Sequence, residues 1–243
     1  MKKYLISSLK RAQNIIENPI LLNAKLKRVN TSFVKDLITV KKIVNGDLKT
    51  IFDVGAAHGE YTKAAHFLNP NANIYAFEPI PASFEKLKLL VHDNRRIKLF
   101  NFALGSDNKS SSFHVNDFSF ASSLLSMTET LKETFPFTKN AKVLNIDVRR
   151  LDDIREIEII KPSLLKMDVQ GYELEVLLGA GALIDKVDVV QLELNFENFY
   201  QGQPTYADLF RFMHEHKFTR FLQTDTLYSF KNLLIASDFI FFK

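Results

Sequence analysis

Cysteine and tryptophan are both absent from this sequence of 243 residues. Without cysteine the chain has no disulfide bond, no thiolate metal site and no cysteine nucleophile, so its reactive groups must offer oxygen or nitrogen. The six histidines form neither an H-x-x-x-H nor an H-E-x-x-H pattern, which excludes a zinc hydrolase on motif grounds. Runs of roughly 18 consecutive apolar residues are also absent, so we expect no transmembrane helix.

The composition is that of a globular protein. Hydrophobic residues make up 46% of the chain and charged residues 25%, which excludes a disordered or collagen-like protein. The length allows one domain with a sizeable core, or one domain with a small appendage.

Basic residues are concentrated near the N-terminus. Residues 1–45 contain ten lysines and arginines against two acidic residues, whereas residues 46–243 contain 22 basic and 26 acidic ones. We therefore divide the chain into a basic helical extension, 1–45, and a main domain, 46–243. The extension can bind a membrane surface peripherally, act as a lid or form a homodimer, and the sequence leaves these alternatives open. Lys10 and Arg11 interrupt its first apolar run, so we expect no secretion signal and a cytoplasmic protein.

The extension is predicted to contain two amphipathic helices. Apolar residues recur at helical spacing before Asn18-Pro19 and again from Leu22 to Val44. Proline disfavours helix in the residue before it, and Asn45-Gly46-Asp47 is a strong stop signal. We expect both helices to pack on the edge of the main domain.

From residue 49 onward, short strand patterns alternate with amphipathic helical segments. The predicted strands are 50–54, 73–77, 97–101, 111–115, 142–148, 163–167, 187–194, 219–222, 226–230 and 238–242, and the predicted helices are 61–68, 82–91, 172–178 and 206–216. This alternation predicts a doubly wound α/β fold with a mostly parallel sheet and a reversed strand near one edge. The polar stretch 116–140 is longer than an ordinary loop, and we expect it to cover the substrate.

A glycine loop follows the first of these strands and precedes a helix. It reads Asp53-Val54-Gly55-Ala56-Ala57-His58-Gly59, and its small residues let the backbone approach a ligand closely at a helix N-terminus. Glu78 closes the next strand, where an acid can accept both hydrogen bonds of a ribose diol. The spacing lacks the G-x-G-x-x-G that admits a pyrophosphate, which favours S-adenosylmethionine over a nicotinamide cofactor.

A carboxylate ends a later parallel strand and faces the crevice where ligands bind in open α/β sheets. This residue is Asp168, within Leu165-Lys166-Met167-Asp168-Val169-Gln170-Gly171-Tyr172-Glu173. Glu193 ends the strand after it. An alcohol acceptor needs a general base or a metal before it attacks a methyl group, so Asp168 is the first candidate and Glu193 the second.

Together these motifs resemble the FkbM family of S-adenosylmethionine-dependent methyltransferases. The resemblance covers roughly residues 50–243 and rests on Asp53 to Gly59, Glu78-Pro79, Ser122-Ser123, Val148 to Asp153 and above all Leu165 to Glu173. It implies a class I methyltransferase sheet of seven strands and transfer of a methyl group to a hydroxyl of a sugar or a polyketide-like small molecule. Ala57 and Gln170 stand where the family commonly has Asn and Glu, so one cofactor contact and one base or metal role are in question.

The predicted site residues fall into three groups. The catalytic candidates are Asp168 and Glu193; the cofactor-binding candidates are Asp53, Gly55, Ala56, His58, Gly59, Glu78, Asn101 and Ala103; the substrate candidates are Ser122, Ser123 and Glu173. Asp168, Glu193 and Asn195 could instead hold Mg²⁺, but nothing in their spacing requires a metal, so we predict none.

Two further functions compete with a small-molecule O-methyltransferase. The basic extension is compatible with a nucleic-acid or protein methyltransferase, but Asp168 to Gly171 lacks the N/D-P-P-Y/F strand end that amine methylation of bases often uses, so we expect no nucleic-acid partner. The other is a module that has lost catalytic activity and binds a partner or a membrane surface. In this alternative, Ala57 and Gln170 are the changes that impaired activity.

Overall fold

The computed structural model describes residues 18–92, 94–116, 122–134, 141–229 and 232–243. The strands are β1 (Thr50–Val54), β2 (Asn73–Phe77), β3 (Ile97–Phe100), β4 (Ala103–Leu104), β5 (Lys109–Asn116), β6 (Ala141–Arg149), β7 (Ser163–Met167), β8 (Val189–Asn195), β9 (Arg220–Tyr228) and β10 (Leu234–Phe242). The α-helices of the same residues are α1 (Pro19–Leu26), α2 (Thr31–Ile43), α3 (Glu60–Leu68), α4 (Pro81–Leu90), α5 (Glu129–Thr134), α6 (Glu173–Ala180) and α7 (Tyr206–Glu215). None of the described helices is long and apolar enough to cross a membrane.

The main sheet has seven strands in the order β3-β2-β1-β7-β8-β10-β9. The first five pair in parallel, and β10 runs antiparallel to both of its neighbours. This confirms the predicted doubly wound α/β fold, with the reversed strand second from the edge. The strands β1, β2 and β7 match their predicted ranges, because each is a short buried run between two helical layers. The order reverses between β1 and β7, so the ends of these two strands flank the crevice.

The chain ends in a longer hairpin than the sequence predicts. Instead of three short strands, β9 and β10 form two strands of nine residues each. The polar residues of β9 interrupt the apolar pattern, but an edge strand needs mainly backbone pairing and tolerates exposed side chains. Gln223 adds a side-chain hydrogen bond, donated to the hydroxyl of Ser237 over 2.9 Å.

The predicted strands around residues 111–115 and 142–148 lie outside the main sheet. They are β5 and β6, which pair antiparallel in a small sheet completed by the two-residue strand β4, which the sequence analysis missed. Between them, α5 is fixed to the loop after β8, because Thr128 Oγ1 donates to the carbonyl oxygen of Asn198 over 2.7 Å. Within the stretch 116–140, residues 117–121 and 135–140 lie outside the described residues.

The N-terminal helices differ from the prediction in two ways. The single helical stretch from Leu22 to Val44 is broken into α1 and α2, because Arg28 has a left-handed φ of 54° and Asn30 caps α2 by accepting from the backbone N–H of Ser32. Helix α2 covers a face of the sheet rather than its edge. Its buried residues Val34, Leu37 and Val40 belong to one hydrophobic cluster with residues of β1, β2, β7, β8 and β10. The helix expected before Asn18 lies outside the described residues.

Candidate active site

The loop after β1 lies directly against the loop after β7. Gly55 has a φ of +76°, and a Cβ at this position would overlap the backbone oxygen of Asp168. The N–H of Asp168 donates to the carbonyl oxygen of Val54 over 3.0 Å, which holds the two loops together. Gly59 has a φ of +87° and starts α3, where an added Cβ would lie 2.6 Å from Leu87 Cδ1. Both glycines are thus required by backbone conformation and close approach.

Glu78 is buried at the end of β2 with its carboxylate fixed by two backbone amides. The N–H groups of Ala57 and Ile80 each donate to one of its oxygens over 2.8 Å. Burial raises the pKa of Glu78 to about 7, against the opposing effect of these hydrogen bonds. Asn101 donates its amide N–H to the carbonyl oxygen of Glu78 over 2.8 Å and so fixes the backbone here.

A cavity of about 150 Å³, the donor cavity, opens above these groups. Of the predicted site residues, it is lined by Gly55, Glu78, Ala103, Ser122 and Asp168. Its apolar walls come mainly from Ile80, Leu104, Phe113 and Leu124. A buried carboxylate beside apolar walls suits a ligand with a flat apolar base and a diol.

Three residues that were predicted to bind the cofactor do not line the donor cavity in the structure. Asp53 is fully buried and lines neither this cavity nor the acceptor cavity described below; it accepts hydrogen bonds from Lys166 Nζ at 3.1 Å and Thr62 Oγ1 at 2.5 Å. Ala56 packs in a small apolar cluster beneath the loop. His58 is exposed, and its Nε2 lies 3.3 Å from Lys86 Nζ. The sequence pattern placed these residues on the loop but could not show which face each side chain takes.

Asp168 and Glu193 meet at the carboxyl ends of β7 and β8. The Gln170 amide nitrogen lies between them and donates to Asp168 Oδ1 at 2.9 Å and Glu193 Oε2 at 3.4 Å. The Tyr200 hydroxyl in turn donates to Gln170 Oε1 over 2.9 Å and so orients the amide. Burial, with the nearby Asp168 as the second cause, raises the pKa of Glu193 to about 8.

These groups line a second cavity of about 400 Å³, the acceptor cavity. Asp168 and Gln170 line both cavities, so the two meet at this point. The acceptor cavity also contains residues that the sequence analysis did not single out: Asp36, Gln191, Tyr200 and Asp238. Asp36 and Asp238 lie far from the motifs in sequence and reach the site only through the packing of α2 and β10.

The predicted substrate residues are divided by the fold. Ser122 lines the donor cavity. Ser123 donates its hydroxyl to the carbonyl oxygen of Gln170 over 2.7 Å and fixes the loop. Glu173 is buried at the start of α6 outside both cavities, where it accepts from the N–H of Gly171, and burial raises its pKa to about 7.

Asn195 lines the acceptor cavity beside the two acids. Within the described ranges, no group of three or more His, Asp or Glu side chains is arranged to hold a metal ion. The Gln170 amide nitrogen donates to both Asp168 and Glu193, so this position supplies hydrogen bonds where the family commonly has a third carboxylate.

The sheet order, the glycine loop and the acid after β2 define the class I methyltransferase fold. Residues 53–219 match the methyltransferase FkbM domain, and the chain belongs to that family.

Three curated relatives are methyltransferases by name. The chain is 26% identical to the 2-O-methyltransferase NoeI of Sinorhizobium fredii, over 63% of this chain and 66% of that protein. It is 30% identical to the hexuronic acid methyltransferase AglP of Haloferax volcanii (60% and 55%) and 28% identical to methyltransferase 1 of Beauveria bassiana (59% and 64%). The chain thus spans less than two thirds of the length of each relative.

Among solved structures, the chain is similar to the N-terminal domain of human METTL16 in complex with SAH, with 12% identity and a TM-score of 0.48 over 88% of this chain and 70% of that one. It is also similar to a putative RNA methyltransferase of Pyrococcus horikoshii, with 15% identity and a TM-score of 0.44 over 89% and 84%.

Proposed function

We propose that this chain transfers the methyl group of S-adenosylmethionine to a hydroxyl group of a sugar or a related small molecule. The observation that carries the proposal is the meeting of two cavities at Asp168 and Gln170. A donor in one and an acceptor in the other would face each other at this point, and an in-line displacement needs that arrangement.

The donor cavity fits an adenosine-containing ligand. The Glu78 carboxylate keeps free acceptor capacity beside its two backbone hydrogen bonds and would accept from the ribose hydroxyls. The adenine would lie between apolar groups such as Leu104 and Phe113. When bound, the donor supplies an electrophilic methyl group on a sulfonium.

At residues 57 and 170, where the chain departs from the family, both residues still bond to candidate site residues. Ala57 still donates its N–H to Glu78, and Gln170 bonds to both candidate catalytic acids. These contacts favour an active enzyme over an impaired module.

Asp168 is the general base in this proposal because it borders both cavities. Glu193 carries a proton at neutral pH, since its pKa is raised to about 8, and it lies across the Gln170 amide from Asp168. Asp168 would accept the proton of the acceptor hydroxyl as the oxygen attacks. Aromatic residues Phe199 and Tyr200 and the α5 residue Leu131 enclose this side and limit the entry of water.

A sugar acceptor is supported by the hydrogen-bonding groups of the acceptor cavity. Carboxylates and amides at Asp36, Gln191, Glu193, Asn195 and Asp238 match the many donors and acceptors of a polyol. The names of two relatives also fit such an acceptor: one is a 2-O-methyltransferase and the other a hexuronic acid methyltransferase.

The first experiment measures binding of S-adenosylhomocysteine by calorimetry, with Glu78→Ala as the site variant and the exposed Glu85→Ala as the control. We expect micromolar binding that Glu78→Ala weakens at least tenfold and Glu85→Ala leaves unchanged. If the unaltered protein does not bind S-adenosylhomocysteine, the proposed enzymatic function is contradicted and the catalytically impaired module is favoured.

The second experiment offers methyl glycosides, an RNA pool and a protein pool as acceptors of labelled methyl groups. Label in the glycosides that is stable to mild base supports an ether product. Label that appears only in RNA or protein would replace the proposal with a macromolecule methyltransferase.

A further inference from the structure

One wall of the acceptor cavity is formed by residues near both ends of the described chain. Helix α2 contributes Phe33 and Asp36, and the C-terminal hairpin contributes Leu227, Ala236 and Asp238. All five lie outside residues 53–219, the part that matches the family. The match to the family therefore does not extend to this wall.

Among the described residues, the ionisable side chains that line the cavity are mainly acidic. Four lining residues are acids: Asp36, Asp168, Glu193 and Asp238. The only basic residue among the described lining residues is Lys166, whose Nζ is ion-paired with the fully buried Asp53 at 3.1 Å. An anionic group entering the cavity would thus meet carboxyl groups and a cation whose charge is already paired.

Asp36 lies next to polar side chains of the sheet. Its carboxyl group is near the Gln191 side chain, and Gln191 Oε1 accepts from the Tyr61 hydroxyl over 2.9 Å. Tyr61 is itself buried against Phe33, with ring centroids 5.3 Å apart. Asp36 lies beside these residues on the cavity wall.

Asp238 is fixed by the sheet. It lies on β10 opposite Glu193 of β8, so both side chains emerge on the same face at neighbouring positions. Burial, with the nearby Asp225 as the second cause, raises the pKa of Asp36 to about 6. Burial also raises the pKa of Asp238 to about 7, and the nearby Asp168 and Asp36 add to this effect.

We infer that Asp36 and Asp238 are specificity-determining residues that reject acceptors carrying a carboxylate or phosphate and restrict the enzyme to sugars without an anionic group. The inference rests on the proposed function and narrows its substrate class. It also predicts that this chain uses a different acceptor from the relative named as a hexuronic acid methyltransferase.

The test compares probes that differ in charge and hardly in shape. The probes are methyl glycosides of uronic acids, which carry a free carboxylate, and the matching methyl glycosides of uronamides, each in gluco, galacto and manno configuration. They are offered with S-adenosylmethionine at pH 8, where the cavity acids are more fully ionised. Binding of each probe to the S-adenosylhomocysteine-loaded protein is measured separately by saturation-transfer NMR. The variants are Asp36→Asn, Asp238→Asn and their double, with the exposed Asp107→Asn as the charge-matched control.

We expect the unaltered protein to prefer a uronamide over its uronate at least tenfold, in turnover or in binding, and the double variant to lose most of this preference. Asp107→Asn should keep it. Equal or better use of the uronate, or an unchanged preference in the folded double variant, would overturn the inference while leaving sugar methylation standing. If no sugar probe is bound or methylated, the proposed sugar substrate fails, and the inference fails with it.

Discussion

Gly55 and Asp168 are in backbone contact across the switch point of the sheet. A side chain at residue 55 would overlap the backbone oxygen of Asp168, so the glycine sets the distance between the donor loop and the proposed base. This close approach links the proposed cofactor loop to the position of the proposed base.

Replacing Gly55 by alanine tests this coupling. The substitution adds a Cβ at a φ of +76° and against Asp168, so we expect the free energy of unfolding to fall by about 2 kcal/mol or more. S-adenosylhomocysteine binding should weaken at least tenfold. Gly46→Ala is the control, because nothing lies within 4 Å of an added Cβ there. Equal effects of the two substitutions in denaturant titrations would contradict the account.

Stability should fall as the pH rises. Five buried or half-buried carboxyl groups have raised pKa values in the folded protein: Asp36, Glu78, Glu173, Glu193 and Asp238. Between the ordinary pKa and the raised one, the folded state binds more protons than the unfolded state, so the stability present at low pH is lost as pH rises. For Glu193 this window runs from 4.5 to about 8.

We therefore expect the unliganded protein to lose stability between pH 5.5 and pH 7.5, with Glu193 alone contributing about 2 kcal/mol. Glu193→Gln should flatten the decline. The control Glu197→Gln, at a glutamate of the same region that lines neither cavity, should leave it unchanged. A stability that rises over this range in urea titrations would show that these groups are ionised without cost.

Gln170→Glu would restore the residue that the family commonly has. It replaces the amide that donates to Asp168 and Glu193 by a third carboxyl group, so we expect a loss of stability at pH 8 that is small at pH 5.5. Added Mg²⁺ should recover part of that loss, because three clustered carboxylates resemble a magnesium site. The unaltered protein should show no such recovery in the same melting experiment. Identical melting curves for both proteins at every pH would contradict the role given to Gln170.

Ala57 occupies a left-handed position, with a φ of +48°. Asn tolerates this conformation better than other side chains, whereas a β-branched residue does not. We expect Ala57→Asn to keep or raise the melting temperature and Ala57→Val to cost about 1–2 kcal/mol. If Val is tolerated as well as Asn in denaturant titrations, backbone conformation does not explain the residue.

Much of this fold follows from local pattern. The strands β1, β2 and β7 are mainly apolar runs between turn signals, and a glycine loop such as Asp53 to Gly59 after a parallel strand is typical of a ligand site. The side of the sheet that each side chain takes is harder to predict. Asp53 was expected at the cofactor but pairs with Lys166 on the other face, since a one-residue difference reverses the direction of a strand side chain.

The acceptor side was less predictable for a different reason. Asp36 and Asp238 are about 200 positions apart and line one cavity only because α2 packs on the sheet to which β10 belongs. No local signal marks such a pair. Their appearance in one cavity depends on the tertiary packing of apolar residues such as Leu37 and Ile240 in a shared cluster.

The central claim is that Asp168 removes the acceptor proton at the point where the two cavities meet, and Asp168→Asn tests it most directly. The side chain keeps its size and can still bond to Gln170, so we expect affinity for S-adenosylhomocysteine within about threefold of the unaltered protein. Turnover of a sugar acceptor should fall by about 100-fold or more. Asp107→Asn serves as the control and should leave both quantities unchanged. Unchanged turnover in Asp168→Asn, measured with the same acceptor and with cofactor binding retained, would contradict the account.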